Sequence, residues 1–162
     1  MMTIQYGIYK NNIYSIDLVN GEIELTSHNP QDKVYGFKEY TDILGKEHPE
    51  ILIKIVSETE ISFAYKLEFK VLYKGEVFLP TAIGKFLLGN DSIPIYSNNI
   101  EDMPRYGFER IDKFIFEKEI ALNDIDALIE YKVPILKFSD RDTEVNRINK
   151  ENIREYISNL IE

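Results

Sequence analysis

The feature that most constrains this chain is a run of strict alternation between positions 61 and 73. Ile61, Phe63, Tyr65, Leu67, Phe69, Val71 and Tyr73 hold the odd positions. Ser62, Ala64, Lys66, Glu68 and Lys70 hold even ones, and Leu72 is the single exception. Period 2 over this length predicts a long strand with one buried face, of the kind antiparallel sheets use. Lys74-Gly75 then predicts a turn, with Glu76 to Leu79 returning and Pro80 ending that strand or marking it as an edge.

Around this hairpin the sequence predicts an N-terminal meander. Ile4 to Lys10 reads as a strand, Asn11-Asn12 as a tight turn, Ile13 to Val19 as a second strand and Glu22 to Ser27 as a third. Asn20-Gly21 between the last two is the strongest hairpin signal, because a type I′ turn needs positive φ at both central residues. His28 to Asp32 reads as a loop, Val34 to Tyr40 as a short strand, Thr41 to Pro49 as a connection and Ile51 to Val56 as a strand. Ala82 to Leu88 fits a short helix or an apolar strand. Gly89-Asn90-Asp91 fits a turn, and Ile93 to Tyr96 an extended piece.

The C-terminal third predicts more helix. Ser97 to Gly107 reads as a long polar loop, and Phe108 to Ile120 as a strand with Phe114, Phe116 and Ile120 on one face. Asn123 or Asp124 is placed as the N-cap of a short helix, Ile125 to Tyr131, with Asp124 and Asp126 suited to its dipole. Val133 to Phe138 reads as a strand and Ser139 to Asn146 as a polar linker. Asn149 caps a final helix whose Ile153, Tyr156, Ile157, Leu160 and Ile161 form one stripe. No internal repeat is read. The expected fold is α+β, a single domain over residues 1–162: a mainly antiparallel sheet with a short helix and a C-terminal amphipathic helix.

The residues present exclude several chemistries. With no Cys there is no disulfide, thiol nucleophile or cysteine-held metal. His28 and His48 are the two histidines, both in expected loops, with no HExxH pattern. No Gly-x-Ser-x-Gly elbow occurs, and Asn90-Asp91 follow Gly89 where a P-loop needs Lys and Ser or Thr. Asp140, Asp142 and Glu144 alternate like a calcium loop, but Val145 stands where the turn glycine belongs. No catalytic, metal or cofactor residue is therefore assigned. A carboxylate-dependent hydrolase stays open as an alternative, and so does an acidic phage or mobile-element accessory protein.

The formal charge of −9 repels phosphate backbones and attracts a basic protein. The acid excess sits in residues 1–60 and 111–162, while 61–110 balance. Tyr96, Tyr106 and Phe108 flank the polar loop that carries Glu101 and Asp102. Glu101, Asp102, Tyr106, Asp140 and Asp142 are the expected partner-binding residues, presenting aromatic and acidic groups. No signal peptide or apolar run long enough for a membrane span is read, so a cytoplasmic location is expected.

In its Gly7-Ile8-Tyr9-Lys10-Asn11-Asn12 meander, its long strand 61–73, its acidity and its lack of a catalytic motif, the chain resembles the immunity proteins of bacterial polymorphic toxin systems, including contact-dependent growth inhibition. The resemblance implies a cytoplasmic inhibitor that binds a cognate toxin domain, often a basic one such as a nuclease. In some such pairs a toxin hairpin adds to the immunity protein's sheet.

Overall fold

A computed structural model describes residues 4–162. Among the described residues twelve strands form one antiparallel network, and its centre is the alternating segment: β6 spans Phe63–Tyr73. On one edge its first half pairs with β1 (Ile4–Tyr9), and its end pairs with β7 (Glu76–Pro80). On its other edge β11 (Ala127–Pro134) runs almost its full length, followed by β12 (Glu144–Asn149). From β1 the sheet continues through β2 (Asn12–Val19), β3 (Glu22–Ser27), β5 (Glu47–Val56) and β4 (Lys38–Thr41). From β7 it continues through β8 (Ser92–Ser97), β10 (Ile115–Ala121) and β9 (Glu109–Asp112).

These two wings are copies of one unit. Each has a hairpin, a third strand, a helical turn, and a second hairpin whose return strand pairs with the third. The cores correspond residue by residue: Tyr14 with Phe78, Ile23 with Ile93, Leu25 with Ile95, Phe37 with Phe108, Val56 with Ile120. The exits match as well. Ser62 donates its N–H to the Ile8 carbonyl, and Asp126 donates its own to the corresponding Leu72 carbonyl, both at 2.9 Å. β11 thus pairs with β6 as β6 pairs with β1, and β12 and α2 (Lys150–Ser158) follow it. The expectation of no internal repeat is corrected. The copies are hard to align because Asn20-Gly21 joins β2 to β3, whereas a long segment with a 3-10 helix at Lys85–Gly89 joins β7 to β8.

Alternation on β6 puts the two cores on opposite faces of the sheet. Ala64 packs into the first unit's cluster, and Tyr65, Leu67, Phe69, Val71 and Tyr73 into the second's. α2 closes the second cluster with Ile153 and Ile157, both fully buried, and Leu160 follows beneath it. Ile161 leaves the predicted stripe and is exposed. Asn149 holds the N-cap position, but its side chain accepts from Arg147 Nε at 3.0 Å instead of capping.

The α+β class and the long central hairpin stand, but several boundaries change. The first turn is Lys10-Asn11, both at positive φ, with Asn12 already paired to Tyr9. Val34 lies in a 3-10 helix, Pro30–Tyr35, and the strand starts at Lys38. Pro49 falls inside β5, in the stretch where the β4 register shifts and no ladder bond is asked of it. Phe108–Ile120 is a hairpin with Phe114 exposed at its tip. The expected helix Ile125–Tyr131 is strand β11, because burial against β6 outweighs the cap signal at Asp124, which sits in a 3-10 turn, Leu122–Asp124. The strand expected at 133–138 ends at Pro134 and gives way to a 3-10 turn, Leu136–Phe138. Part of the expected polar linker is β12. The short α-helix lies instead in the expected loop: α1, Asp102–Tyr106.

Candidate functional site

The repeat is clearest where each third strand ends. Ser27-His28-Asn29 with Asp32, and Ser97-Asn98-Asn99 with Asp102, fold alike. Each serine hydroxyl donates to the aspartate, from Ser27 to Asp32 at 2.5 Å and likewise from Ser97 to Asp102. The same hydroxyl oxygen accepts the N–H of Asn29 or Asn99 at 3.0 Å. The asparagine side chains then cap the next turn, accepting from Gln31 N–H and Glu101 N–H at 3.1 Å. Both turns end on a left-handed glycine, Gly36 at φ 89° and Gly107 at φ 78°, and then a buried phenylalanine, Phe37 or Phe108. Positive φ suits glycine, which has no Cβ to clash.

Because the chain turns away at the serine, the sheet splits there. The β2–β3 ladder ends at Ser15 opposite Thr26, and the β7–β8 ladder ends at Leu79 opposite Tyr96. Beyond these pairs lie two forks. In an antiparallel strand, alternate residues direct N–H and C=O to opposite sides. Thr81 donates to the Pro94 carbonyl at 2.8 Å, so Leu79 and Val77 also face the β8 side. Val77 therefore turns its backbone groups into the fork. Ile13 does the same in the first unit, since its neighbour Asn12 closes the hairpin against Tyr9. Both side chains are exposed, Ile13 at 42% and Val77 at 59%.

The second fork opens into a hollow of about 310 Å³, lined by Glu76, Val77, Tyr96, Asp102, Arg105 and Tyr106 among others. The first opens into a wider groove of about 1050 Å³, where Ile13, Tyr14, Asn29, Asp32 and Tyr35 meet the C-terminal residues 158–162. The forks differ in one polar contact. Tyr14 donates its hydroxyl to Asp32 at 3.0 Å, and burial together with that carboxylate pushes its pKa up to about 12. Phe78 stands at the equivalent place in the second fork, so Asp102 lacks this donor.

The expected partner-binding residues fall in two places. Glu101 is exposed, next to Asp102 in the chain but not among the residues that line the second hollow. Asp102 is buried and held by Ser97, so it shapes the fork instead of facing a partner. The Tyr106 ring is half-buried against Phe78, 5.4 Å between centroids, with the Arg105 guanidinium 6.0 Å from it. Asp140 and Asp142 are exposed beside Arg141, which lies over the rings of Phe63 and Phe138 at 5.4 and 4.8 Å. Phe63 and Tyr73 begin and end an 11-residue strand, so these groups sit at opposite ends of a span of roughly 33 Å. They form no single patch. Sequence reading missed the first fork and Arg105. The signal that locates the fork is the recurrence of Ser, Asn, Asp, Gly and Phe in order.

Neither histidine lines the second hollow, and His28 is among the residues of the first groove. His48 contacts Asp42 at 3.0 Å and Glu50 at 3.5 Å and stacks on Tyr40. The His28 ring approaches the Glu50 carbonyl at 3.3 Å on the rim of the first groove. Among the described residues no three His, Asp or Glu side chains converge as a metal set, and no helix is long and apolar enough to cross a membrane.

A family model described as Uncharacterised conserved protein UCP033725 matches residues 1–137, which spans both units and β11 but stops before β12 and α2. No curated protein and no solved structure matches the chain.

Proposed function

We propose the following for this chain, which belongs to the uncharacterised conserved protein family UCP033725: it is an immunity protein that binds a cognate basic toxin domain and neutralises it. The second fork carries this reading. It sets an uncovered strand edge at Val77 beside two exposed aliphatic side chains, Val77 and Leu79, and the exposed carboxylate of Glu76, while Glu101 is exposed next to Asp102 in the chain. A free edge takes a partner's backbone, exposed aliphatics supply area, and the carboxylates together with a net charge of −9 speed the approach of a basic surface. Asp102 and Tyr106 hold the fork open beneath.

Co-expression with a toxin domain encoded beside this gene tests the reading. Growth is expected to be restored, through a complex that forms more slowly as salt rises. Replacing Glu76 and Glu101 together by Gln is expected to slow association several-fold at low salt and to leave the fold intact. Growth that stays arrested in the presence of the folded protein overturns the reading.

A further inference from the structure

Beneath the C-terminal segment lies a third hollow, which shares Asn159, Leu160 and Ile161 with the first groove and no lining residue with the second fork. Tyr6 on β1, Tyr65 on β6, Glu130 and Lys132 on β11, and Tyr156 on α2 line about 160 Å³, roughly the share of five waters. Glu130 is 6% exposed. Its carboxylate accepts from the Tyr156 hydroxyl and from Asn146 Nδ2 at 2.9 Å, both neutral donors. Among the described residues, no ion pair involves it. A carboxylate taken out of water without a counter-charge is costly. The repeat does not account for it either: Lys66 holds the equivalent place on β6, two residues before Glu68, with which it pairs at 3.0 Å.

The surroundings are those that attract an organic cation. The Tyr6 and Tyr65 rings lie 5.5 Å apart at 34°. The Lys132 ammonium, half-buried on the rim, sits 5.7 Å from the Tyr65 centroid, within cation–π range. Burial first raises the pKa values of all three tyrosines, Tyr65 to about 12, and the Glu130 carboxylate adds to the rise in each. Tyr6 does not compete for Glu130, because its hydroxyl donates to the Ile161 carbonyl at 2.5 Å.

We infer that this hollow is a binding site for a small organic ammonium ion, with Glu130 as counter-charge, the tyrosine rings as walls and Lys132 as the chain's own competitor at the mouth. Its size admits an ammonium group with a few carbons and nothing drug-sized. The inference is independent of the toxin-binding reading, which uses the fork between β7 and β8 beside α1.

Titration of the full chain with tetramethylammonium chloride, against sodium chloride at equal ionic strength, tests it. With no Trp in the chain, tyrosine emission is the optical readout, alongside calorimetry. Saturable binding specific to the organic cation is expected. E130Q keeps an acceptor for Tyr156 and loses the charge, and is expected to weaken binding at least tenfold with an unchanged circular dichroism spectrum. K132M removes the competitor and is expected to tighten binding several-fold. No saturable response, or equal affinity in wild type and E130Q, overturns the site. Unchanged affinity in K132M overturns the competitor role.

Discussion

Tyr14 donates its hydroxyl to the buried Asp32 carboxylate at 3.0 Å, and Phe78, at the corresponding place in the second unit, leaves Asp102 without that bond. One hydroxyl therefore distinguishes the serine–aspartate networks of the two forks. Y14F is expected to destabilise the fold by about 1–2 kcal/mol, the loss of a hydrogen bond to a charged acceptor. The urea midpoint measures it, and an unchanged midpoint contradicts the role given to Tyr14.

The same comparison ranks the serines. Ser27→Ala leaves Asp32 with Tyr14, whereas Ser97→Ala leaves Asp102 with no side-chain donor. Both are expected to destabilise, Ser97→Ala more, by about 1–3 kcal/mol for a buried acceptor left unmade. Urea melts of the two variants side by side decide it. The reverse order counts against the assignment.

The β4–β5 hairpin is tied by His48 and Asp42, 3.0 Å apart. The Asp42 hydrogen bond raises the His48 pKa above its ordinary 6.5, and His48 first, then the Lys46 N–H, lowers that of Asp42 below 3.8. A raised histidine stabilises fully below its unfolded pKa and loses the contribution as pH rises through the folded value. A lowered carboxylate contributes above its unfolded pKa and loses this as pH falls through the folded one. The tie is therefore strongest between about pH 4 and 6.5. An NMR titration of the His48 ring is expected to show a midpoint above 6.5 that returns toward 6.5 in D42N.

The forks make a prediction about single amides. Val77 and Ile13 lie within strands, yet their N–H groups face no ladder, so both are expected to exchange with solvent deuterium far faster than Phe78 and Tyr14 beside them. Equal protection along β7 would mean that the fork is closed.

Much of the fold was legible where turn chemistry is local. Asn20-Gly21 and Lys74-Gly75 turn with positive φ at both residues, as their hairpins require. The alternation at 63–73 marks the strand on which both wings hang. What failed was non-local. Asp124 carries a cap signal, but Leu128 is fully buried and pairs with Val71, and that pairing makes β11 a strand. The repeated topology was hidden because β7 and β8 are joined by a far longer link than β2 and β3. The partner-binding set was read from composition near a loop, and composition does not show that Asp102 points inward while Asp140 lies at the other end of β6.

The most direct measurement is hydrogen exchange on the complex with the cognate toxin domain. If the second fork is the docking edge, the Val77 amide slows on binding while the amides of β4 stay as they were. A tight complex in which the Val77 amide exchanges as fast as in the free protein contradicts the account.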